Sequence, residues 1–160
     1  MRSMEIPSDG KTNLELRLTL FQLKMLYKWL DIPLHGEDVR VRSRFLKMIS
    51  PILDGSEHER LTLLKEFAKK DGDGNPVFLK DEKGEPTDNF DLSVADLKNF
   101  QKRMAEVNGQ EHVVPLLTKD QVSDVRAFRQ ILEKQIAMAN GFSLEEGEIY
   151  DQVCMAFKSV

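Results

Sequence analysis

Residues 69–86, KKDGDGNPVFLKDEKGEP, hold the sharpest chemical pattern in the chain. Asp71, Asp73 and Asn75 alternate, and Glu82 follows them. Laid on a calcium loop of the EF-hand type, these oxygens fall at the first, third, fifth and twelfth positions, with Phe78 at the apolar eighth. Oxygens at those steps suit a hard cation. Two features oppose the match. The sixth position needs a glycine for its sharp turn and holds Pro76, whose fixed φ does not supply that geometry. Gly84 and Pro86 then interrupt the helix that should leave the loop. Asp71-Gly72, Asp73-Gly74 and Lys83-Gly84 read instead as turns around a short strand at 76–79. The stretch is therefore expected to form a hairpin near 72–84, with a calcium-responsive module as the minor alternative.

The densest basic cluster is Arg40, Arg42, Arg44 and Lys47. On a helix, Arg40, Arg44 and Lys47 share a face that suits the phosphates of nucleic acid. The plainer alternative is a solvated face opposite Val41 and Phe45, since no aromatic or glycine-rich recognition element accompanies the cluster. Glu145, Glu146 and Glu148 stand where the first turn of a helix favours acids. His35, His58 and His112 fall in three separate segments without the spacing of a metal site. Cys154 is the single cysteine. It excludes an intrachain disulfide, fits a reducing cytoplasm and reads as a small core residue. No phosphate-binding glycine loop, zinc-protease helix or nucleophile elbow occurs. No catalytic residue, cofactor or metal ligand is assigned, and a non-enzyme is expected.

These residues need elements to hold them. The chain has 160 residues and a net charge of −4, the size of one ordinary domain and a balance that does not attract nucleic acid at long range. No apolar run is long enough to cross a bilayer. The opening MRSMEIPSDGKTN lacks the apolar core of a signal peptide. Residues 1–12 read as a mobile tail and 13–160 as a single globular domain. Leucines alternate through 13–20, NLELRLTL, as on one buried face of a strand. Helical spacing follows: Leu23, Leu26 and Leu30 before the stop at Asp31-Ile32-Pro33, then Val41, Phe45, Ile49 and Ile52. Pro51 should kink or end that second helix near Ser50. Ser56 with Glu59, Ser93 with Asp96, Thr118 with Gln121 and Ser143 with Glu146 each resemble a helix start of the capping-box type. The stripe Val94, Leu97, Phe100 and Met104 follows the second of these starts. HVVPLL, 112–117, is apolar enough for a strand, which Pro115 would place at a sheet edge. No fixed-period repeat is visible. The expected fold is α+β and mostly α: five to six short helices packed as a bundle, with a small β element. That element comprises the N-terminal strand, a partner strand near 113–117 and the hairpin.

The helical run LTLFQLKMLYKWL is large and apolar on nearly every side. Such a helix is central in the core or shared with a partner. Trp29 and Tyr27 are accordingly the candidate protein-interface residues, and the chain itself is a candidate partner.

The order of elements also resembles a known group. A leucine-rich strand and two helices lead into ERLTLLKEFAKKDGDGNPVFL, where Glu59, Arg60, Leu63, Leu64, Phe67 and Ala68 precede Asp71, Gly74 and Asn75. Over about residues 13–121 this is similar to small proteins of unassigned function encoded in bacteriophage and prophage genomes. The resemblance implies a phage-associated accessory or assembly protein working through protein contacts, and brings no catalytic residues with it. The expectation is thus a non-enzymatic, cytoplasmic, prophage-type protein that binds itself or another protein. The alternative is a nucleic-acid-binding regulator using the basic face of the second helix.

Overall fold

Alternating leucines form a strand because every second side chain points to the same face of the pleat. In the computed structural model, which describes residues 11–160, this is β1, Lys11–Thr19. Leu16 and Leu18 are buried, while Arg17 between them is exposed. The expected tail lies outside the described residues as far as residue 10, and β1 takes in residues 11 and 12. β1 pairs antiparallel with the strand Glu111–Thr118, in a register that sets Leu14 against Leu116 and Leu16 against Val114. The partner strand expected around HVVPLL is therefore present, and Pro115 stands in a two-stranded sheet where each strand is an edge.

The remaining elements are α1, Leu20–Trp29; α2, Glu37–Phe67; β2, Phe78–Lys80; β3, Pro86–Phe90; α3, Val94–Asn108; β4, the strand just described; α4, Lys119–Ile131; and α5, Leu144–Phe157. α4 runs on through a π-helical turn, Leu132–Ile136, and a last short piece, Ala137–Ala139. The fold is α+β and mostly α, with small antiparallel strand pairs, as the sequence patterning predicts.

Three expected caps hold. Ser93, Thr118 and Ser143 each accept the backbone N–H of the third helical residue, at 3.1–3.2 Å. A fourth, missed in the sequence, starts α1: Thr19 Oγ1 accepts the Gln22 N–H while Gln22 Oε1 accepts the Thr19 N–H. Ser56 is not a cap. It is buried inside α2, which passes through Pro51 without ending. An interior proline costs a helix about 3 kcal/mol through a lost hydrogen bond and a ring clash. Burial on both sides offsets that cost, with Phe45 and Ile49 fully covered before Pro51 and Leu63 and Ala68 nearly so after it. The expected break fails because tertiary packing outweighs a local penalty.

The chain forms two units. The first comprises residues 11–53 with Glu111–Val160, and the second Asp54–Gln110. In the first, side chains of β1, β4, α1, α4, α5 and the opening part of α2 join in one buried cluster. The centre is aromatic: the Phe45 and Phe128 rings stack at 3.9 Å, and Phe157 lies 5.7 Å from each. In the second unit, the end of α2 leads through the β2–β3 hairpin into α3, and only Leu63, Ala68, Met104 and Val107 are buried apolar side chains.

Candidate functional site

The loop that suggested calcium is built from two copies of one turn. Asp71 accepts the N–H of Gly74, its own N–H goes to the Asn75 carbonyl, and its Oδ1 accepts the N–H groups of Asp73 and Asn75, both at 2.9 Å. Ten residues later Asp81 does the same with Gly84, Glu85 and Lys83. Gly74 and Gly84 take φ of 80° and 81°, the left-handed position that closes a three-residue hairpin loop. The pattern Asp-x-x-Gly-x-Pro thus stands twice, at 71–76 and 81–86, a repeat the sequence reading passed over. The first expected ligand oxygen is occupied by backbone N–H groups. Among the described residues, no three of His, Cys, Asp and Glu gather where a metal ion would sit.

A closed ring of backbone hydrogen bonds fixes the base of this arm. Lys69 N donates to Asp91 O, Asp91 N to Val77 O and Val77 N to Lys69 O, at 2.8–2.9 Å. Beyond the ring, all three residues of β2 are exposed. Phe78 and Phe90 stack across the strands at 4.8 Å, and Phe78 and Leu79 keep 43% and 45% of their surface open. Residues 71–91 carry seven acids against two bases. The expected apolar stripe of α3 is only partly covered. Met104 is buried, whereas Val94 and Leu97 stay exposed, because the second unit places nothing over that end of the helix.

The basic cluster on α2 is largely engaged within the chain. Arg42 Nη1 donates to the carbonyls of Leu30 and Ile32, at 3.1 and 2.6 Å, and so ties down the end of α1. Arg44 pairs with Glu37 at 3.0 Å and with Asp124 at 2.9 Å, which raises its guanidinium pKa further. Arg40 lies 3.7 Å from Glu37. Lys47 is exposed. The four cations therefore do not present one bare basic surface.

Of the two aromatic interface candidates, Trp29 is inside the first unit, 1% exposed, and Tyr27 is outside. Trp29 packs against Phe142 and Tyr150, at 4.9 and 6.1 Å between rings. Its indole N–H donates to Glu146 Oε2 at 3.4 Å. As a core residue it offers no surface to a partner, because a buried indole bonded to a carboxylate is already satisfied. Tyr150 donates to the Leu132 carbonyl, and burial followed by its contact with Cys154 holds the phenol well above its ordinary pKa. Burial likewise pushes the Cys154 thiol up, away from the reactive thiolate. The three histidines remain apart, in the loop before α2, within α2 and in β4. A depression of about 680 Å³ at the start of α5, lined by Phe142, Leu144, Glu148 and Asp151 among others, is wide open to solvent. Among the described residues, no helix is long and apolar enough to cross a membrane.

No protein-family model, curated protein or solved structure matches the chain.

Proposed function

We propose that this chain is a non-enzymatic, cytoplasmic accessory or assembly protein of the prophage type, acting through contacts with itself or another protein. The observation that carries the reading is the β2–β3 arm. A strand exposed along its whole length and bearing a phenylalanine and a leucine costs solubility unless a partner covers it. The acidic surroundings of those side chains suit a partner with basic residues around an apolar surface. Ion pairing of Arg40 and Arg44, and the backbone role of Arg42, weaken the nucleic-acid reading by comparison. The test is capture from a lysate of the host cell by the immobilised chain, beside the variant Phe78→Ser. A protein retained by the wild type and lost with Phe78→Ser supports the reading; equal retention by both, or no retained protein, counts against it.

A further inference from the structure

The outer face of α1 and α5 carries charges left without partners inside the chain. The two helices run antiparallel in the first unit: Gln22 bonds Gln152 at 3.1 Å near one end, and Trp29 reaches Glu146 near the other. On the outside, α1 carries Phe21 and Lys28, seven residues apart on one face, and α5 carries Met155 and Glu148, also seven apart. Phe21 is 41% exposed and Met155 62%. Among the described residues, neither Lys28 nor Glu148 has an ion-pair partner. The face is thus apolar at one end, basic on one helix at the other, and acidic on the neighbouring helix at that same level.

We propose that this face pairs with a second copy of the chain about a two-fold axis parallel to α1 and α5. Such an axis lays α1 of each copy over α5 of the other without shifting either along its length. The levels fixed by Gln22–Gln152 and Trp29–Glu146 then bring Phe21 against the partner copy's methionine at 155, and Lys28 against its glutamate at 148. Each contact occurs twice by symmetry, as in any isologous interface. The result is a four-helix antiparallel layer with its apolar contacts at one end and its ion pairs at the other. A face of two short helices is small beside the about 800 Å² per partner of a standard interface, so monomer and dimer exchange with concentration.

The proposal rests on the protein-contact reading and names self-pairing as one instance of it. Its test uses residues remote in sequence from the arm, so the two readings fail separately. Sedimentation velocity on the full chain over a range of concentrations should show mass rising from one chain towards two. Lys28→Glu and Glu148→Lys should each weaken pairing by about tenfold or more, because an attraction becomes a repulsion at both contacts. Mixed together, these two single variants should pair again, since every contact in the mixed dimer is then between opposite charges. That rescue excludes misfolding as the cause of the single losses. A wild-type chain that remains monomeric throughout overturns the proposal. So does a dimer indifferent to both reversals, or a mixture that fails to recover.

Discussion

The two units solve the problem of burial differently. The first gathers a continuous core from two stretches distant in sequence, 11–53 and 111–160, with Leu16, Phe45, Phe128 and Phe157 almost without exposed surface. The second has four buried apolar side chains and is held instead by hydrogen-bonded turns, a closed ring of backbone bonds and one exposed aromatic stack. The charge follows the same division. Thirteen acids against nine bases lie in 54–110, a net −4, whereas residues 11–53 and 111–160 together carry twelve acids against thirteen bases. A region with few buried contacts and many solvent-facing backbone bonds opens at lower free energy than a packed core. The lesson is that the first unit sets the stability of the protein, while the second presents surface.

Breaking the stronger side of this comparison gives the largest effect. Phe128→Ala removes the ring stacked on Phe45 and should destabilise the first unit by about 3–5 kcal/mol. The single tryptophan, Trp29, lies in that core, so urea unfolding followed by its fluorescence reads this unit selectively. A loss below 1 kcal/mol would mean that the aromatic centre is not what holds the unit.

On the weaker side, Gly84→Ala should cost about 1–2 kcal/mol, the penalty for an L-residue in the left-handed region. An added Cβ there meets nothing within 4 Å, so the cost comes from φ alone. Hydrogen exchange should quicken at the N–H groups of Lys83 and Glu85, with the Trp29 fluorescence transition unmoved. A shift of that transition would show the two units unfolding as one.

The smallest effect is a pH dependence that sharpens the contrast. The Tyr150 phenol is raised, by burial first, above its unfolded value. Its contribution is complete below the unfolded pKa of about 10 and is lost as pH rises beyond it, because only the unfolded chain ionises there. The fluorescence-detected stability of the first unit should therefore fall above that pH. Tyr150→Phe should flatten the decline. An unchanged slope in the variant would assign it to another group.

Much of the second unit's geometry was legible and partly overlooked. Asp71, Gly74 and Pro76 recur as Asp81, Gly84 and Pro86, and each turn is closed by atoms within five residues. The alternating oxygens of the calcium pattern overlap this ten-residue repeat. In the first unit the Thr19–Gln22 cap was equally local and equally readable. The role of Arg42 was not. Its neighbours in sequence suggested a phosphate-binding face, and only the return of α2 past the end of α1 put the carbonyls of Leu30 and Ile32 within its reach.

By itself, the sequence determined the alternating strand β1, the helix starts at Ser93, Thr118 and Ser143, and the hairpin chemistry of the aspartate turns. Each depends on groups a few residues apart, whose geometry the backbone fixes wherever the segment lies. Tertiary structure alone decided that α2 continues through Pro51, that Trp29 is core and Tyr27 surface, and that Val94 and Leu97 stay uncovered. Those outcomes depend on which distant segment covers which face. A local penalty of about 3 kcal/mol at a proline is outweighed when large apolar side chains are buried on either side of it.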